Sequence, residues 1–389
     1  MLGTAIRVGT SAIQAKTIKV YFNPVTATDQ LQTGMVVCYD DTATAANRSI
    51  YVAKPSYNNY SDVAGIVAPG QKLPVGATEV ELIPWDGAIY RGAQVYTDED
   101  VADGDILGVI PGEYALGKWV VGNPLFRCKE AQTRATTGAG LVSGDFGPIL
   151  YGVSTLASKR VSFFDHFAGQ NTVSAPAVAN SVADAGTWLL TGTSSAAAYV
   201  DSLTTSETGA AATRANGVLR LTPNTTNEAS LTLNGEPFTL AAGCNLFARM
   251  RYAQNRIDAD GVVGFGVGIT DTTPLTSLSD GVTVYSSTAA VKLDYTKGSA
   301  TAATKTTGAT LVADTFIEMA FLIRHKIAST GGLDVHCWYN GTEVSSPTET
   351  QSLIPDTKSL TLFIASKSGT TAHVVSVDYI ECNNYHGGL

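Results

Sequence analysis

Residues 316–325 read FIEMAFLIRH, and residues 336–344 read HCWYNGTEV. In the first stretch Ile317, Met319, Phe321 and Ile323 fall on one side of an extended chain, and Glu318 and Arg324 fall on the other. That period of two marks a strand buried on one face. In the second stretch His336 and Trp338 share a side, opposite Cys337 and Tyr339. Asn340-Gly341 then supplies the dipeptide preferred in a type I′ hairpin, where both central residues need positive φ. Two neighbouring stretches with strand period, one closed by a hairpin turn, predict an antiparallel sheet with a core beneath it.

The reading extends outward in both directions. Residues 261–270, GVVGFGVGIT, alternate Gly264, Gly266 and Gly268 with Phe265, Val267 and Ile269. One face of that strand is bare backbone, which permits close packing or strong curvature. Residues 373–382, HVVSVDYIEC, make a long closing strand. About a dozen strands from residue 161 to the end predict a two-sheet jelly-roll sandwich over 161–389. Upstream, short apolar runs at 17–22, 35–39, 49–53, 63–67, 79–83, 94–96, 106–110 and 119–121 are separated by turns such as Pro69-Gly70 and Pro111-Gly112. They predict a small barrel or barrel-like sandwich over 17–127. A single short helix is expected around 98–102. Residues 1–16 read as an arm with two cations, Arg7 and Lys16, and residues 128–160 as a linker or extended segment.

Composition narrows the function. Of 389 residues, 44% are hydrophobic, enough for packed cores, and the formal net charge of −9 excludes the basic stripe of a nucleic-acid coat. Cys38, Cys128, Cys244, Cys337 and Cys382 form no C-x-x-C pair and read as free, mostly buried thiols of a chain folded in a reducing cytosol. The N-terminus has no sustained apolar region of a signal peptide, and no apolar run is long enough to span a membrane.

No assembled catalytic motif is expected. Gly264–Gly268 is not followed by a helix, so a dinucleotide loop is rejected. Asp258 and Asp260 begin like a calcium loop, but Val262 and Ile269 stand where ligands are required. The acidic run Asp98, Glu99, Asp100, Asp103 and Asp105 reads as a hydrated loop, with a weak cation site as the alternative. Asp165-His166 reads as a strand-end pair. No E-x-D-x-E spacing supports glycoside hydrolysis, and no G-x-S-x-G elbow supports a serine nucleophile. The aromatic, charged sheet face is the best candidate for a ligand: His336 and Trp338 on one strand, Arg249 and Arg251 on another, could bind a glycan, or could be core and solvated surface. Catalytic residues, cofactors and metals are not expected.

Two resemblances add to this. Within 17–122, GIVAPG (65–70), Gly92–Tyr96 and DGDILGVI (103–110) resemble the head-decoration, or cement, proteins of tailed phages. That resemblance implies a capsid-docking domain, a homotrimer, the major capsid protein as partner, and an N-terminal arm laid on the shell. Leu2, Ile6, Arg7, Ile13 and Lys16 are then the candidate capsid contacts. Within 161–382, the opening Phe163-x-Asp165-x-Phe167, Trp188, FARMRY, YNGTEV and the closing VDYIE resemble concanavalin-A-like sandwiches attached to phage structural proteins. The expectation is a non-enzymatic virion protein, folded in the host cytoplasm, that decorates and cements the outer capsid surface, with the sandwich projecting outward. The alternatives are a head-fibre or adhesin that grips a host-surface glycan, and a divergent glycan hydrolase. No nucleic-acid or membrane partner is expected.

Overall fold

The computed structural model describes residues 17–386 apart from 25–28, 72–77, 135–137, 150–159, 168–187, 192–195, 201–217, 258–260, 289, 308–309, 326–331, 346–347, 351–353 and 372. The arm residues Leu2, Ile6, Arg7, Ile13 and Lys16, and the Asp258–Asp260 turn, lie outside the described residues. The chain is all-β, as expected. Among the described residues no helix is long and apolar enough to cross a membrane.

The first domain has two sheets that pack on a shared core, in which Val36, Ile66 and Ile83 meet Val95, Leu107 and Phe126. Strands Ile18–Phe22, Val36–Tyr39, Tyr51–Ala53, Val63–Val67 and Glu79–Pro84 close into a barrel. Inside it pack Val20, Phe22, Val37, Val52, Ala64 and Leu82. Strands Tyr90–Thr97, Ile106–Val109, Leu116–Lys118, Pro124–Cys128 and Gly140–Phe146 form a separate five-stranded sheet. Two expectations are corrected here. The strand placed at 119–121 is Leu116–Lys118. The helix placed at 98–102 is a loop with one bridge, Val101 to Gln132. Of the two alternatives read for 128–160, a linker or an extended segment lying on a neighbour, Gly140–Phe146 is the extended kind: it pairs with both Tyr90–Thr97 and Pro124–Cys128. Its apolar residues are too few to show a period, but Val142 and Phe146 are fully buried and every second position faces the core.

From Arg160 the chain builds a two-layer sandwich, with sheets of nine and eight strands rather than a dozen in all. The nine-stranded sheet has Val375–His386, Cys244–Gln254, Ile317–His325 and Gly332–Tyr339 side by side and antiparallel. The core takes Ile317, Met319, Phe321 and Ile323 from one layer and Val263, Phe265, Val267, Val282 and Val284 from the other. Asn340 and Gly341 have φ of 46° and 78°, the I′ turn that the dipeptide predicts. On the bare face of Val262–Gly268 sits the short helix Pro274–Ser277: a Cβ on Gly264 would lie 2.6 Å from Leu275 Cδ2. The Phe-x-Asp-x-Phe opening is a local clasp. Asp165 accepts the Phe167 backbone N–H at 2.8 Å and the Trp188 indole N–H at 2.9 Å. The Trp188 ring lies 5.4 Å from Phe163 and 6.2 Å from Phe167. Asp165 is thus a structural hub, and His166 stacks on Phe164. All five cysteines are free and buried.

Candidate functional site

Strand register arranges the outer face of the nine-stranded sheet in rows. One row runs Arg160, Tyr385, Asn245; the next runs Ser162, Asn383, Phe247, Leu322, His336. A third runs Phe164, Glu381, Arg249, Ala320, Trp338. The register thus places all four candidates His336, Trp338, Arg249 and Arg251 on one sheet face. It is not open. The first domain covers most of it, and Trp338 and His336 are each 2% exposed.

The covering surface has an apolar centre. Tyr57, Ile106, Ile110, Trp119, Val120 and Val121 of the first domain pack with Phe247, Ala320, Leu322, Trp338 and Tyr385 of the sandwich. Tyr57 stacks on Trp338 at 5.2 Å, and its hydroxyl donates to Glu318 at 2.5 Å. Burial of each large side chain here contributes about 1.5–3 kcal/mol.

Around that centre runs a polar rim. Arg324, fully buried, donates to Asp98 at 2.5 Å and lies 3.4 Å from Asp334 and 3.8 Å from Glu99. Burial opposes its charge, but Asp98, Glu99, Asp334 and Glu113 outweigh that and hold the guanidinium above its ordinary range. Glu99 accepts from Asn245 Nδ2 at 2.9 Å and from the Lys118 backbone N–H at 2.9 Å. Its carboxyl is pushed up by burial in spite of Arg324 and Lys118. Lys118 Nζ donates to Gly243 O at 2.8 Å, and the Tyr385 hydroxyl donates to Asp105 and accepts the Ile106 N–H. The acidic run read as a hydrated loop is thus corrected: Asp98, Glu99 and Asp105 are buried at this seam. Local sequence showed only that they are acidic; their partners across the seam, Arg324, Asn245 and Tyr385, lie 226, 146 and 280 residues away.

His336 places Nδ1 2.6 Å from Glu343 and Nε2 3.1 Å from Asp334. Carboxylates on both ring nitrogens make both of them donors, so the ring is an imidazolium. Burial pulls its pKa down, but the bonds to Asp334 and Glu343 prevail and raise it to about 9. Glu113, Asp334 and His336 offer ligand atoms within 4.8 Å of one another. With the ring nitrogens occupied and Arg324 beside Asp334, this group reads as a hydrogen-bonded network, not as a metal centre. Arg249 and Arg251 lie on the less covered part of the face, paired with Glu381 at 2.7 Å and Asp378 at 2.6 Å. Phe164 next to them is 57% exposed.

No family model matches the chain, and no curated protein sequence matches it. Solved structures with a similar architecture include a protein of unknown function from Shewanella oneidensis MR-1 (14% identity, TM-score 0.39, covering 62% of this chain and 98% of that one). Peanut lectin is similar at 14% identity and TM-score 0.35, over 58% and 97% of the two chains. A carbohydrate esterase of the Shiga toxin-encoding bacteriophage phi24B is similar at 15% identity and TM-score 0.33, over 51% and 90%. The likeness is one of jelly-roll architecture.

Proposed function

We propose that this chain is a non-enzymatic structural protein of a phage particle, one that decorates the outer capsid surface and cements the shell. The observation that carries this reading is the seam. An aromatic and charged sheet face of the sandwich packs against the first domain through a shared buried cluster, so the two domains are joined by a packed interface. The resemblance of residues 17–122 to head-decoration proteins supplies the rest. In this reading the major capsid protein is the partner, three copies associate, and the arm at 1–16 lies on the shell. A ligand that binds only the assembled shell stabilises it by its binding free energy, so many copies resist internal pressure together.

The test is co-sedimentation of the full chain with expanded phage shells that lack a decoration protein. Saturable binding and a raised shell melting temperature are expected. Absence of binding at micromolar concentrations sinks the proposal. A chain beginning at residue 17 should stay folded and lose shell affinity; normal affinity would move the docking surface from the arm to the barrel.

A further inference from the structure

A hollow of about 600 Å³ opens at one end of the closed barrel. Its walls are the C-terminal end of Val36–Tyr39, the turn that follows, the residues preceding Val63–Val67, and Trp85 just after Glu79–Pro84. Antiparallel pairing brings these ends together: Val36–Tyr39 pairs with Val63–Val67, which pairs with Glu79–Pro84. Backbone hydrogen bonds hold the walls in place, Tyr39 N–H to Asp62 O at 2.8 Å and Trp85 N–H to Ala64 O at 3.0 Å. Asp40 fixes the turn. It is 2% exposed and accepts from Asn23 Nδ2 at 2.7 Å, Thr42 N–H at 2.9 Å and Thr42 Oγ1 at 2.6 Å. The hollow is therefore built before any ligand arrives.

We propose that this barrel mouth binds a neutral saccharide. Trp85 and Tyr39 are half-buried and offer aromatic surface to the C–H faces of a sugar ring. Trp85 is anchored from behind by Phe146, with ring centroids 5.6 Å apart. At the rim, Asp41 and Asp62 are exposed acceptors, Arg48 is an exposed donor, and the Ser61 hydroxyl does both. A sugar hydroxyl also donates and accepts, so it can use every one of these groups. A small anion would meet the carboxylates, and a cation would meet Arg48. The volume lies within the range of small-ligand pockets and holds one or two sugar rings. This site is distinct from the sheet face of the sandwich, and it does not depend on the decoration role.

The experiment uses the full chain with the methyl glycosides of glucose, galactose, mannose, N-acetylglucosamine and rhamnose. Binding is read by saturation-transfer NMR and isothermal titration. Arginine methyl ester and inorganic phosphate serve as charged probes. At least one glycoside should bind, and Asp62→Ala and Arg48→Ala should each weaken it at least about tenfold at unchanged melting temperature. Trp85→Ala should abolish it. Because Trp85 also packs on Phe146, the two rim variants carry the test if that substitution unfolds the barrel. Three results would overturn the proposal: no glycoside bound at tens of millimolar, binding indifferent to both rim variants, or tighter binding of the arginine ester or of phosphate than of any glycoside.

Discussion

Arg324 and His336 show how much single residues carry at the seam. Arg324 sits on the polar side of its strand by sequence, which for an arginine ordinarily means solvent. Here it is fully buried among Asp98, Glu99 and Asp334. Its Nε and Nη1 make no hydrogen bond, so the surrounding carboxylates hold that side of the guanidinium by charge. Breaking such a cluster from one side leaves like charges buried together, and Arg324→Met should cost about 3–5 kcal/mol. Urea denaturation of the variant checks this. For His336 the sign follows from a folded-state pKa of about 9 against an ordinary value near 6.5. Its contribution to stability is fully present below about pH 6.5 and is lost as pH rises through about 9. Denaturation midpoints between pH 6 and 10 should fall for the native chain, and the fall should be smaller in His336→Gln.

Among the elements, Val262–Gly268 is the clearest case of sequence and packing agreeing. The glycine alternation predicts a bare face, and at Gly266 an added Cβ would lie 2.0 Å from Val282 O and 3.0 Å from Phe363 Cζ. A backbone oxygen cannot swing away as a side chain can. Gly266→Ala should therefore destabilise by at least about 1–3 kcal/mol, the cost of overpacking, as measured by thermal unfolding. The hairpin at Asn340-Gly341 was equally legible, because a two-residue turn is a local matter of φ. Gly140–Phe146 was not. Its burial comes from strands distant in sequence on either side of it, while its own residues are small and weakly patterned. The loop at 98–102 failed as a helix for a related reason: Asp98 and Glu99 gain more from Arg324 and Asn245 than a single helical turn would return.

For the whole molecule, the seam predicts coupled behaviour. Removing residues 17–149 would expose Phe247, Leu322 and Trp338, all buried in the intact chain. The isolated sandwich should then bind a hydrophobic dye or aggregate. The intact chain should unfold in one calorimetric transition, and Tyr57→Ala should lower that transition as a whole. Two separated transitions, with only one sensitive to Tyr57→Ala, would show that the domains are not coupled. Limited proteolysis is expected to spare Gly140–Phe146 until global unfolding, since that strand is hydrogen-bonded on both sides.

The chain's alternation, glycine placement and turn dipeptides determined by themselves that it is all-β, that a barrel-like unit precedes a sandwich, and which side of Ile317–His325 faces the core. These are properties of neighbouring residues, and the backbone period of two translates them directly into faces. What covers the other side was decided only by tertiary structure. Arg324 and Asp98 are 226 residues apart, Tyr57 and Glu318 are 261 apart, and Ile106 and Tyr385 are 279 apart. A polar or aromatic residue on the outer face of a strand carries the same local pattern whether water, a ligand or another domain meets it. His336 and Trp338 therefore read equally as a ligand face or as core, and they lie beneath a domain whose loops supply the matching charges.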